Sequence, residues 1–227
     1  MASDDGRLRA ARGVVSRRAF LLPVLATMLA APMPSTGQDT RDRHVVLVTP
    51  GESDGRLTAT REAVAFWNQT LSDLKLRPRL LETTVLVDPP ITRPLEAYTR
   101  QVWLLAGRSV PAEAQPKPPA ALTELDGDIV VFFSRQRIFS FARPFGEPTR
   151  FFIAISTDTA APLTYPNVTR NVVAHEFGHV FGLTHNGYTR TLMCGPCESL
   201  LYRSDQPVFF PLTADERARL LALNQAQ

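Results

Sequence analysis

The stretch His175-Glu176-Phe177-Gly178-His179-Val180-Phe181-Gly182-Leu183-Thr184-His185 decides how the rest of the chain is read. Three of the four histidines in the 227-residue chain fall inside it. On a helix, residues four apart stack on one face, so His175 and His179 project together and can share one ion. Counting from His175, His179 lies at about 40°, while Val173, Phe177, Val180 and Phe181 fall between about 140° and 240°. The histidines therefore share one face, and an apolar stripe on the opposite side is expected to dock on a sheet. Glu176, at about 100°, stands beside the ligand face but angled away from it, the place for a base acting on a water.

Gly182 permits a left-handed backbone conformation, which ends the helix and lets the chain fold back. His185 can then supply a third ligand. Three imidazoles leave one position of a tetrahedral zinc open, as in a catalytic rather than a structural site. Zinc can bring the pKa of a water from near 16 down to about 7. Glu176 would take that water's proton and pass it to a leaving amine.

The pattern HExxHxxGxxH followed by a methionine turn resembles the signature of the metzincin zinc peptidases. His175, Glu176, His179, Gly182 and His185 match it, and Met193, in Thr191-Leu192-Met193-Cys194, stands where that family has its methionine. The resemblance implies an α+β fold: a twisted, mixed five-stranded sheet, two long helices, and a small C-terminal subdomain below a substrate cleft. It also implies zinc as cofactor, Glu176 as the catalytic base, and a protein or peptide substrate, with the upper-rim strand pairing with the substrate. Arg137 to Phe141 is the candidate rim strand. The short tail after His185 looks most like the compact matrixin type.

The chain also departs from the pattern. Gly195 stands where astacins and serralysins carry a metal-contacting tyrosine, and Pro196 only approximates the proline that follows the methionine in matrixins. No cysteine precedes the motif, so a matrixin-style cysteine switch has no residue to use.

Cys194 and Cys197 are the only cysteines. In an oxidising compartment they pair more readily than they stay free, and a local disulfide would brace the methionine turn. Cys194-Gly195-Pro196-Cys197 is also the thioredoxin tetrapeptide, so thiol-disulfide exchange remains a rival reading, as do free thiols or a second metal site. A third possibility is a zinc-stabilised binding module without proteolysis.

The N-terminus reads as an address. Ser16-Arg17-Arg18-Ala19-Phe20-Leu21 resembles the bacterial twin-arginine export signal. The apolar run that follows ends near Ala31 and is short for a membrane span. A general secretory signal or an uncleaved anchor are the alternatives. Residues 1–37 are thus expected to be a signal peptide. Residues 38–227 would form one catalytic domain, with 38–185 as N-terminal and 186–227 as C-terminal subdomain. The protein would be exported to periplasm or medium, without stable membrane insertion of the mature chain.

Charge adds an exclusion. The formal net charge is +3, but residues 1–37 hold five arginines and two acids. Removing these from the 25 basic and 22 acidic side chains leaves 20 of each. A neutral body offers no footprint for nucleic acid or an anionic membrane. A monomer is expected.

Along the chain, His44 to Val48 reads as a strand and Leu57 to Leu74 as an amphipathic helix that Pro78 stops. Leu80 to Val87 is a second strand, and Leu95 to Ala106 a helix ended at Gly107. The Pro-rich stretch 110–121 is a connector, and with the preceding helix looks like an insertion in the sheet. Ile129 to Phe133 and Phe151 to Ile155 read as buried strands. Thr213-Ala214-Asp215-Glu216 has capping-box spacing before a last packing helix, Arg217 to Leu223. His44 is read as an isolated strand residue at the surface.

Overall fold

Val45-Val46-Leu47-Val48 and Ile129-Val130-Val131-Phe132-Phe133 are apolar at every position, and such strands need cover on both faces of a sheet. The computed structural model, which describes residues 42–146, 150–195, 197 and 208–225, supplies that cover. The elements run β1 (Arg43–Thr49), α1 (Gly55–Asp73), β2 (Leu80–Val87), α2 (Thr92–Leu105), a 3-10 turn at Ala112–Ala114, and α3 (Ala120–Thr123). They continue with β3 (Ile129–Phe133), β4 (Phe141–Pro144), β5 (Phe151–Ile155), α4 (Pro166–Val180) and α5 (Ala214–Gln225). Residues 1–37, read as a signal peptide, and Pro196 lie outside the described residues.

The five strands form one mixed sheet in the order β2-β1-β3-β5-β4. The first four are parallel, and β4 pairs antiparallel with β5 at the edge. Side chains alternate between the faces, as the period of two requires. Val45 and Leu47 of β1, Ile129, Val131 and Phe133 of β3, and Ile153 and Ile155 of β5 share a core with α1 and α4. Val46, Val48, Val130, Phe132, Phe152 and Ala154 face the other way, onto Ile91, Leu95, Tyr98 and Leu122. The expected mixed five-stranded sheet is therefore present. The helix expected as an insertion, α2, comes between β2 and β3 in the chain and covers the second face of the sheet.

Two corrections concern what surrounds α4. Its apolar stripe meets α1 as well as the sheet. Trp67, fully buried, donates its Nε1–H to the Ala174 carbonyl at 2.8 Å and tilts against Phe181, with ring centroids 4.8 Å apart. Arg170 of α4 pairs with Glu62 of α1. The rim strand, expected at Arg137 to Phe141, begins only at Phe141. Before it, side-chain hydroxyls stand in for ladder partners: Ile138 N–H donates to Ser156 Oγ and Ser156 N–H to Ser140 Oγ, each at 3.2 Å. Alternation in sequence reported burial there (Ile138 inside, Phe139 outside) without reporting strand pairing.

Among the described residues no helix is long and apolar enough to cross a membrane.

Candidate metal centre and cleft

Pro166 opens α4 at a position where its missing N–H costs nothing. The helix ends in a Schellman arrangement. Gly182 takes φ +78°, its N–H donates to the His179 carbonyl at 3.0 Å, and Leu183 N–H donates to the Gly178 carbonyl at 3.0 Å. This turn sends the chain back across the ligand face and delivers His185. The Nε2 atom of His185 then lies 3.0 Å from that of His175 and 3.2 Å from that of His179.

Hydrogen bonds decide which ring nitrogens carry protons. His175 Nδ1 stands 2.7 Å from the Leu192 carbonyl, and His179 Nδ1 stands 2.9 Å from the Leu183 carbonyl. A carbonyl can only accept, so both Nδ1 atoms carry the hydrogen and both Nε2 lone pairs point inward. Lone pairs turned on a common point at this spacing want a cation between them. A tetrahedral zinc with nitrogen ligands at 2.0–2.1 Å sets neighbouring nitrogens roughly 3.3 Å apart, close to the separations found. Burial, opposed by the Leu192 carbonyl and joined by the two neighbouring imidazoles, lowers the His175 pKa to about 4. Burial also lowers His179, against the Leu183 carbonyl. Both are thus kept in the neutral form that ligates.

Glu176 is buried beside them, and burial pushes its carboxyl up to about 8, with the Ala142 backbone of β4 acting the other way. Its Oε2 has no hydrogen-bond partner among the described residues. An orphaned buried carboxyl oxygen next to three converging imidazoles fits a site that holds a divalent cation, which favours the carboxylate again. Both Glu176 and His175 line a cleft of about 400 Å³. Its other walls are chiefly apolar: Val168 and Val172 of α4, Ile138 on the rim, Leu192 and Phe210.

The structure therefore brings together all four polar residues singled out in the motif. It also buries Met193 against Gly178 of the helix that carries three of them. A Cβ built on Gly178 would stand 2.3 Å from Met193 Sδ, so the bare backbone of Gly178 is what admits the methionine under the helix. Sequence reasoning passed over Gly178, although a glycine within a helical pattern is itself a signal of close packing. It also missed the Leu183 and Leu192 carbonyls, which no side-chain identity marks. Cys194 and Cys197 form a disulfide that lines the same cleft. The residues before it, Thr191 to Met193, form a turn rather than the strand that precedes a thioredoxin tetrapeptide. His44 lies on β1, away from these groups, with its backbone N–H on Asp128.

Asn171, one turn before His175, holds the next wall. Its side-chain amide donates to the Val208 carbonyl at 2.8 Å and its carbonyl oxygen accepts from Phe210 N–H at 2.7 Å. Asn167 accepts from Val208 N–H at 3.0 Å. The two amides act as a peptide edge that binds residues 208–210 to α4 and so fixes Phe210 in the cleft.

No protein-family model and no curated protein sequence matches the chain. Solved structures similar to it include archaemetzincin from Methanopyrus kandleri, at 16% identity over 85% of this chain and 99% of that one, TM-score 0.44. Metalloproteinase-II from Bacteroides fragilis shows 16% identity over 81% of this chain and 53% of its own, TM-score 0.42. A zinc-dependent peptidase from Methanocorpusculum labreanum shows 14% identity over 78% and 99%, TM-score 0.36.

Replacing Gly178 by Ala is expected to destabilise the metal-free chain by about 1–3 kcal/mol, the cost of overpacking. Urea unfolding in the presence of a chelator measures it, and an unchanged midpoint would refute the Gly178–Met193 packing.

Proposed function

We propose that the protein is an exported zinc-dependent endopeptidase of metzincin type. The observation that carries this reading is a cluster of three imidazoles with convergent Nε2 atoms, of which His175 lines a cleft together with a buried carboxyl, Glu176, whose Oε2 has no hydrogen-bond partner among the described residues. His175, His179 and His185 would hold the zinc. When bound, zinc supplies the Lewis acidity that polarises a scissile carbonyl and makes a water acidic near neutral pH.

The chain's own groups do the rest. Glu176 takes the proton of the attacking water and returns it to the leaving amine. Its burial excludes bulk water from that exchange and raises its basicity. β4 is one edge of the sheet, and Ala142 on it neighbours Glu176, so an extended peptide would pair along that edge beside the candidate base. The apolar pocket is lined by Glu176 and Val172 among others. It would take the side chain that follows the scissile bond. The Cys194–Cys197 disulfide supports the exported reading, since such bonds persist in oxidising compartments.

Three outcomes test the proposal. Glu176→Gln should lose about 10²- to 10⁴-fold in peptide cleavage while keeping one zinc per chain by atomic absorption; wild-type turnover in this variant would sink the mechanism. A peptide-library digest should show apolar residues immediately after the cut bond, with cleavage abolished by chelation and restored by zinc; no cleavage at all would favour a zinc-stabilised binding module. Replacing both Arg17 and Arg18 by Lys should leave the protein in the cytoplasm on cell fractionation, and undiminished export would remove the twin-arginine assignment.

A further inference from the structure

The three histidines are not held alike. His175 and His179 each have a carbonyl on Nδ1, and such partners fix the ring and raise its strength as a ligand. His185 is exposed, and among the described residues its Nδ1 has no hydrogen-bond partner. Its ring rests on the bare Cα of Gly195, where a Cβ would come within 3.0 Å of Cγ. Contact on one side does not orient an imidazole. The backbone that carries it must therefore be fixed.

Asn186 fixes it. Its N–H donates to the Met193 carbonyl at 2.8 Å, and its carbonyl accepts from Gly195 N–H at 2.9 Å, a parallel bridge between the ligand loop and the methionine turn. The side chain closes the loop on itself: Oδ1 accepts from Tyr188 N–H at 2.7 Å, and the amide reaches Thr191 Oγ1 at 2.9 Å. The same amide donates to Glu216 Oε1 at 2.6 Å. Glu216 is buried at the start of α5, where it completes the capping box: Oε2 accepts from Thr213 N–H at 2.7 Å and Glu216 N–H donates to Thr213 Oγ1 at 3.1 Å. One carboxylate thus serves two elements, one oxygen for each.

We propose that Glu216, through Asn186, is a positioning residue for His185, so that the cap of the C-terminal helix supports the third ligand of the metal centre. This rests on the reading of His175, His179 and His185 as metal ligands. The chemistry requires a carboxylate. A glutamine keeps a capping box but offers a single acceptor oxygen, so its NH₂ must face either the Thr213 N–H or the Asn186 amide, donor against donor. Thr213→Ala makes the complementary cut: it loosens the helix start and leaves the Glu216–Asn186 bond in place.

The test uses the full chain, with zinc affinity from competition against a chromophoric chelator and the visible spectrum of the Co(II)-loaded protein. Glu216→Gln should weaken zinc binding by on the order of tenfold or more and alter the Co(II) bands, which report ligand geometry. Asn186→Ala, which spares the capping box, should do the same and carries the test if Glu216→Gln does not fold. Thr213→Ala should lower the melting temperature yet keep wild-type affinity and spectrum. Wild-type affinity in both Glu216→Gln and Asn186→Ala overturns the proposal, as does equal weakening in Thr213→Ala, which would reduce Glu216 to a cap. A wild-type chain that binds no zinc overturns the ligand assignment itself, and this proposal with it.

Discussion

The hydrogen bond from His175 Nδ1 to the Leu192 carbonyl ties the motif helix to the turn that packs beneath it. It sets the tautomer of the first candidate ligand and holds the methionine turn beneath the helix. The turn is held from behind as well, since Leu192 N–H donates to the Pro211 carbonyl at 3.0 Å. Pro211 follows residues that Asn167 and Asn171 bind to the same helix. α4 thus holds the segment that holds the turn that holds α4. Such closed circuits explain how side chains near open water can keep a fixed geometry: displacing any one group breaks several bonds at once.

Legibility in the sequence followed the physical source of each feature. β1, β3 and β5 were readable to within a residue at each end because two-sided burial demands an apolar run, whereas β2, a largely exposed edge strand, was readable from its β-branched residues and the Pro89-Pro90 that ends it. The rim before β4 misled because Ser140 and Ser156 satisfy backbone groups with hydroxyls, and hydropathy cannot tell that from a ladder. α2 was readable as a helix but not as the cover of the sheet's second face, since its apolar side carries no label of destination. The ligands themselves were legible because helical spacing places His175 and His179 on one face and Gly182 announces the reversal. Their supports were not. Two are backbone carbonyls, the same for any residue, and Gly178 reveals its purpose only when Met193 is seen against it.

The apolar character of the cleft and the basicity of Glu176 are one property viewed twice. Val168, Val172, Leu192 and Phe210 exclude water from the pocket, and the same exclusion raises the cost of ionising the carboxyl that borders it, pushing its pKa up to about 8. A divalent cation on the adjacent imidazoles opposes that rise, since a nearby positive charge favours the carboxylate. The two effects are of opposite sign, and a base works best where it can both accept a proton and release it. A more polar pocket would stabilise the carboxylate and weaken it as a base. The walls that would select an apolar side chain therefore also tune the residue proposed to move the proton, and a substitution that changes one will change the other.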